Sequence, residues 1–319
     1  MSLIDHISFD KLLIPLNELS DCSFCPRNCH KDRFLGETGY CRSDAGFNVS
    51  SVCIHKGEEP VISGKKGICN VFFSRCNMQC IFCQNFQISR NSENVVSHKL
   101  QLREILGRII EILDTGVESV GFVSPSHFIP QVKIIIAGLN QIGRKPIIVF
   151  NTNGYDNVST IRQLEGLVDV YLPDFKYMDD HLSELYSSAP EYSFYASKAI
   201  LEMYRQKGST LITNDNGYAE SGLIIRHLVL PGHVENSLSV LRFIANEIST
   251  NVHISLMSQY YPNEFVKDHP QLGRVLPENE YSTVTREMEK LGFTKGWIQE
   301  LHSADFYNPD FSNSHPFES

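Results

Sequence analysis

From about residue 68 the chain alternates between short apolar runs and longer stretches whose apolar positions recur at helical spacing. I-C-N-V-F-F-S (68–74), V-E-S-V-G-F-V (117–123), P-I-I-V-F (146–150), V-D-V-Y-L (168–172), S-G-L-I-I-R-H-L-V-L (221–230) and V-H-I-S-L-M (252–257) read as strands. Residues 99–114, 128–143, 155–166, 178–187, 191–207 and 234–249 read as helices between them, with a last one over 279–291. Short apolar strands separated by helices predict an α/β fold with a parallel sheet and right-handed crossovers. Upstream the pattern is different. Residues 1–21 are weakly amphipathic through Leu12, Leu13, Leu16 and Leu19 and predict a short covering helix. Residues 42–67 read as polar loop ending in H-K-G-E-E-P-V-I-S-G-K-K-G, where His55, Glu58 and Glu59 stand as candidate functional groups or as an ordered surface turn. There is no internal repeat and no low-complexity linker.

A parallel barrel collects its ligands at the C-terminal ends of its strands. Each predicted strand is followed at once by a compact polar set. The sets are Ser74 with the segment after it, Ser124-Pro125-Ser126-His127, Asn151-Thr152-Asn153-Gly154, Asp174 with Lys176, Pro231-Gly232-His233, and Ser258-Gln259-Tyr260. One alone is an ordinary turn, since Asn-x-Asn-Gly turns well by itself and Asp174 with Lys176 makes a local ion pair. Six in register predict one mouth lined with polar groups.

The segment after the first of these strands, R-C-N-M-Q-C-I-F-C-Q-N (75–85), carries Cys76, Cys80 and Cys83 as C-x3-C-x2-C. A loop that short can turn three sulfurs toward one point. Three thiolates are one too few for the four irons of a [4Fe–4S] cubane, which leaves one iron open to a small molecule. A structural zinc site wants a fourth protein ligand, and the next histidine downstream is His98. A zinc knuckle and buried free thiols are the plainer alternatives. Nearer the N-terminus, C-S-F-C-P-R-N-C-H-K-D-R-F-L-G-E-T-G-Y-C (22–41) spaces Cys22, Cys25, Cys29 and Cys41 as C-x2-C-x3-C-x11-C. Four thiols close a tetrahedral zinc site or hold a second [4Fe–4S] cluster, and residue types do not separate the two. His30 is an alternative ligand or a solvent-facing neighbour. Cys53 and Cys69 fit neither set and read as packing residues.

The central loop resembles the cluster-binding loop of the radical S-adenosylmethionine (radical SAM) enzymes, including the aromatic residue, Phe82, before the third cysteine. The resemblance implies a cluster whose open iron is chelated by the amino and carboxylate groups of SAM. It implies reductive cleavage of SAM to a 5′-deoxyadenosyl radical that abstracts hydrogen from a substrate, with Phe82 near the adenine. N-T-N-G-Y, Y-L-P-D-F-K-Y-M, I-R-H-L-V-L-P-G-H and L-M-S-Q-Y-Y-P resemble strand ends of pyruvate formate-lyase activating enzymes over most of residues 68–260. The C-x2-C-P-R-x-C and H-x-G-E-E-P elements resemble a group of activating-enzyme homologues. By that likeness Ser124 and Ser126 stand where the family holds the SAM amino group. Asn151 and Thr152 replace an Asp-Thr pair near SAM, and Asp174 with Lys176 matches an Asp-x-Lys beside its carboxylate. The S-P-S-H turn lacks the acidic residue of Gly-Gly-Glu-Pro, and Gln259 falls where the activases carry a histidine. These departures bear on the substrate, which fold and cofactor do not fix.

Composition narrows the class without naming a function. A net charge of −9 advertises no basic field for nucleic acid. No apolar run approaches the ~20 residues of a membrane span, and no basic region followed by an apolar one opens the chain. Nine cysteines, most of them at metal-ligand spacings, point to a reducing cytoplasm rather than to disulfides. The expectation that the resemblance implies is a cytoplasmic radical SAM oxidoreductase of α/β fold, a partial (βα)6-type radical SAM barrel, with residues 1–67 as N-terminal helix, four-cysteine metal module and connecting loop, and 68–319 as core and C-terminal extension. Its reductant would be a flavodoxin or ferredoxin. Its substrate would be a glycyl radical protein, with another peptide or a small molecule as the alternative. A non-catalytic electron carrier of the ferredoxin type is the rival from another class, and it would need two complete sets of four cysteines.

Overall fold

The computed structural model describes residues 9–92, 94–301, 309–313 and 315–317. Among these residues are ten strands: β1 (Phe47–His55), β2 (Ile68–Phe73), β3 (His98–Leu100), β4 (Ser119–Val123), β5 (Ile147–Thr152), β6 (Val170–Pro173), β7 (Ile212–Thr213), β8 (Ala219–Leu228), β9 (His253–Met257) and β10 (Gly296–Ile298). Their order across the sheet is β10-β9-β8-β6-β5-β4-β2-β1-β3, with β7 paired to β8. From β2 to β10 every step along this path is parallel. β1 adds antiparallel to β2, and β3 antiparallel to β1. β3 and β10 are the two edges, so the sheet curves as an unclosed, partial barrel.

The helices follow from spacing and caps. In the helix Leu102–Asp114 the buried residues Leu102, Ile105, Leu106 and Ile109 fall on one face at i, i+3, i+4 and i+7. Gln101 and Glu104 close a reciprocal capping box at its start. The helix Ile129–Gln141 carries Pro130 in its first turn, where the missing N–H costs nothing. The expected helix over 155–166 shortens to Val158–Arg162, because its flanks are taken up by turns that close through backbone bonds. At the start of the chain Phe9–Leu12 is α-helical and Ile14–Asp21 is 3-10, and Leu12 and Leu19 join the main core as covering residues.

The reading of residues 42–67 as loop is corrected: Phe47–His55 within that span is strand β1, and Pro60–Ser63 is a short helix. The strand's Ser and Asn content hid it, but it lies between β2 and β3 with Asn48 and Ser50 buried. Ser50 Oγ is satisfied by Val96 O at 2.6 Å and Ser74 Oγ at 2.9 Å, so burial leaves that polar group paired. Cys53 and Cys69 are buried on β1 and β2 and pack in the cores on either side of that pair.

Candidate functional site

β2 delivers the chain to the three-cysteine loop at the C-terminal end of the sheet. Arg75 turns it through a left-handed backbone conformation, φ 68°. The loop is then tied down from several sides. Gln79 N donates to Ser187 O at 2.9 Å, Ile81 N to Tyr186 O at 2.9 Å, and Asn77 Nδ2 to Tyr155 O at 2.7 Å. Asn91 Nδ2 donates to Cys76 O at 3.0 Å. Each sulfur also receives one side-chain donor from outside the loop's own cysteines. Asn153 Nδ2 lies 3.3 Å from Cys76 Sγ, Ser187 Oγ 2.9 Å from Cys80 Sγ, and Ser89 Oγ 3.2 Å from Cys83 Sγ. Burial pushes the Cys76 thiol up to about 12, and burial raises Cys80 to about 11 against the pull of the Lys176 ammonium. Donors on all three sulfurs suit a site built to hold them as thiolates on a cationic centre.

The three cysteines wall one side of a cavity of about 440 Å³. That is enough for a small cofactor together with part of a substrate. Phe82, Ser124, Asn151, Thr152, Asp174, Lys176 and Gln259 share this wall, so five of the six polar sets converge on one mouth; Pro231-Gly232-His233 does not, and His233 Nε2 instead lies 3.0 Å from the Tyr186 hydroxyl. Ser126 does not reach it. It is fully buried behind Thr152, whose Oγ1 is 3.2 Å from Ser126 Oγ and donates at 2.5 Å to Asp156 Oδ2. Gly154 lets the Asn-Thr-Asn-Gly turn close: its φ is +80°, and a Cβ there would lie 2.3 Å from Asp174 O.

A buried chain of charges crosses the floor. Asp174 pairs with Lys176 Nζ at 2.6 Å and with Arg226 Nε at 2.8 Å, and Arg226 Nη1 reaches Glu58 Oε2 at 3.1 Å. Arg226 Nη2 also donates to Asn151 Oδ1 at 2.7 Å, while Asn70 and Asn151 donate to Glu58 Oε1, each at 3.1 Å. Burial opposes the ionised form of Asp174, but Arg226 and Lys176 outweigh it and hold its carboxyl below the usual range. Burial likewise opposes the Lys176 ammonium, and Asp174 and Cys80 keep its pKa raised.

Several of these residues were absent from the sequence-based site. Arg226 had a signal: a charge inside the apolar run I-I-R-H-L must be paired if the strand is buried. Asn153 sat beside the named Asn151 and Thr152. Ser89, Ser187 and Asp156 had none, because their contacts depend on how distant segments fold against the loop.

The four N-terminal cysteines line a separate small pocket together with Arg33 and His127. Backbone amides point at their sulfurs, Phe24 at Cys22, Arg27 at Cys25, and Tyr40 N at Cys29 at 3.3 Å. Burial raises the Cys22 thiol despite Arg33 beside it, and burial raises Cys25 further. Arg33 is 1% exposed, and its guanidinium reaches Asp44 O, His127 O and Cys22 Sγ (3.8 Å); no carboxylate pairs with it among the described residues. His30 points away, exposed, with Nδ1 2.7 Å from Asp21 Oδ1. Arg27 links this pocket to the central loop by donating to Asn77 O at 2.9 Å. Among the described residues no three His, Cys, Asp or Glu side chains converge on a single-ion position at either cysteine set.

At the three-cysteine loop, three thiols without a fourth beside them match a cluster with one open iron. The described residues contain no helix long and apolar enough to cross a membrane. In comparison with known proteins, a protein of Methanocaldococcus jannaschii described as "Uncharacterized protein MJ0674" is 28% identical over 284 residues, spanning 88% of this chain and 78% of its own length. Among solved structures, methylornithine synthase (PylB) superposes with a TM-score of 0.47 at 15% identity, over 90% of this chain and 71% of its own. Streptococcus suis SuiB bound to precursor peptide SuiA superposes with a TM-score of 0.46 at 12% identity, over 72% of this chain and 48% of its own. The family profile that matches, over residues 70–243, is that of the Radical SAM superfamily, and it begins in β2, spans the cysteine loop and runs through β8. The chain is a member of the radical SAM superfamily.

Proposed function

We propose that the chain binds a [4Fe–4S] cluster through Cys76, Cys80 and Cys83 and cleaves SAM reductively to start hydrogen abstraction from a substrate in the adjoining cavity. The observation that carries this reading is the set of three donor-supported thiols on the wall of a cavity with no fourth thiol beside them. When bound, the reduced cluster would supply one electron to SAM, breaking its C5′–S bond to give methionine and a 5′-deoxyadenosyl radical. The chain's own residues orient and enclose. Lys176, fixed by Asp174, offers an ammonium to a carboxylate at the cavity wall; Asn151, Thr152 and Ser124 offer hydrogen bonds; Phe82 offers an aromatic face. Ser126 and Asp156 act through Thr152, by holding its hydroxyl. Electrons would come from a flavodoxin or ferredoxin. The experiment is EPR of the anaerobically reconstituted, reduced protein: adding SAM changes the cluster signal if one iron is open to it, and an unchanged signal removes the reading.

The substrate we propose is a glycyl radical protein, on the likeness of the strand-end motifs to the activating enzymes. The S-P-S-H turn and Gln259 favour a second reading, modification of another peptide or a small molecule. EPR for a glycyl radical in a co-incubated candidate protein separates the two. The four N-terminal cysteines we assign to a second centre, structural or electron-relaying, of either zinc or iron–sulfur. Its support is Arg33, a buried guanidinium with Cys22 Sγ at 3.8 Å and no carboxylate partner among the described residues, for which a tetrathiolate metal centre would be the counter-charge.

A further inference from the structure

The far end of the cysteine loop is held by the turn that follows β9. Asn263 Nδ2 donates to Ile81 O at 3.1 Å and to Cys83 O at 3.2 Å. Its Oδ1 accepts from Phe265 N at 3.0 Å, which closes the turn on itself. An asparagine amide has two N–H donors and one oxygen, and this arrangement uses both donors and the oxygen. The two carbonyls bracket Phe82 and Cys83. One side chain therefore spans the residue that offers an aromatic face and the residue that offers the third sulfur.

The same turn grips the loop twice more. Gln84 Nε2 donates to Gln259 O at 2.7 Å, and Gln259 Nε2 to Gln84 Oε1 at 3.3 Å. The Phe82 ring packs on Tyr260, 6.0 Å between centroids, and the Tyr260 hydroxyl is anchored on Leu272 O at 2.5 Å. Phe82 and Cys83 line the cavity, whereas Asn263 and Tyr260 stand outside its lining. The outside donors to the three sulfurs are Asn153, Ser187 and Ser89, none of them from this turn. Losing Asn263 thus frees the Phe82 backbone while those sulfur contacts stay. A ligand seated between a ring and a cluster needs the two fixed relative to one another, since a displacement of about 1 Å costs up to about a hundredfold.

We infer that Asn263 is a positioning residue for SAM, which it never touches: by holding the carbonyls on either side of Phe82 and Cys83 it keeps the aromatic face in place beside the third sulfur. The inference rests on the proposal that SAM occupies this cavity.

The test is anaerobic titration of the cluster-loaded, reduced protein with SAM. The dissociation constant is read from the change in the cluster's EPR signal, and KM and kcat from 5′-deoxyadenosine. Asn263→Ala should raise the dissociation constant and KM about tenfold, with iron content unchanged and kcat moved less than KM. Asn263→Asp separates positioning from closure of the turn. It keeps an acceptor for Phe265 N but sets a carboxylate against two carbonyl oxygens, so it should weaken SAM at least as much as Asn263→Ala. In a Phe82→Leu background Asn263→Ala should change SAM affinity less than about twofold, because the ring it positions is gone. Wild-type SAM affinity in Asn263→Asp, or a full additive loss in the Phe82→Leu background, would overturn the inference. If Asn263→Ala fails to load iron, Asn263→Asp alone and with Phe82→Leu decides it, and loss of iron in both makes Asn263 a folding residue and overturns it too. A wild-type protein that carries its cluster and does not bind SAM overturns the reading of the site together with this inference. Tight SAM binding that survives unchanged in the Asn263 variants overturns this inference alone.

Discussion

The two cysteine sets are built on opposite plans. Cys76, Cys80 and Cys83 sit at the wall of a roomy cavity, and their outside donors are side chains, Asn153, Ser187 and Ser89. Cys22, Cys25, Cys29 and Cys41 close a narrow pocket, their sulfurs met mainly by backbone amides, with one buried arginine among them. Three thiols with open space beside them leave a position for a ligand. Four thiols with an arginine and backbone amides leave none. In the proposed reading, that difference would separate a centre that reacts from one that staples or relays, although both draw on the same residue type.

The largest expected effect breaks the first plan and spares the second. Cys76→Ala, Cys80→Ala and Cys83→Ala should each abolish SAM cleavage, and a variant lacking all three should still carry metal at the N-terminal set. Metal analysis under anaerobic purification checks this: about one zinc or about four irons per chain supports the second centre. Neither metal in that variant removes it.

Arg33→Ala sharpens the comparison from the other side. If the four thiolates are the counter-charge of Arg33, its loss breaks a buried pair and should cost about 3–5 kcal/mol of stability or the N-terminal metal. A thermal unfolding curve and metal content indistinguishable from wild type would leave Arg33 without that role.

Lys176→Ala should weaken SAM binding roughly tenfold or more while iron content holds, since it removes one partner of a buried charge pair facing the cavity. Unchanged SAM affinity would return Asp174 and Lys176 to a purely structural pair. The smallest effect belongs to the sulfur donors. Ser187→Ala removes a hydrogen bond that favours the electron-rich reduced cluster, and should lower its reduction potential by on the order of 20–60 mV. A potential that does not move would make Ser187 a packing residue.

Much of this was legible along the chain because the signals are local. The βα alternation, the cysteine spacings and the polar strand ends are each local signals, and the parallel sheet brings all of those ends but Pro231-Gly232-His233 to one cavity. What was not legible depends on distant contacts. β1 hides because Asn48 and Ser50 are buried at positions an isolated strand would fill with apolar residues, and their partners, Asp44, Val96 and Ser74, come from elsewhere. Ser126 sits one layer too deep because Thr152 stands in front of it. Glu58 and Glu59 look alike in sequence, and what distinguishes them is that Arg226 on β8, Asn70 on β2 and Asn151 on β5 all bond to Glu58.

The central claim is that this chain cleaves SAM at an open-iron cluster. Its most direct measurement is chromatography for 5′-deoxyadenosine after anaerobic incubation of the reconstituted, reduced protein with SAM. The account predicts 5′-deoxyadenosine that depends on reductant and disappears in Cys80→Ala. A fully loaded cluster that yields none, or a Cys80→Ala variant that yields as much as wild type, would contradict it.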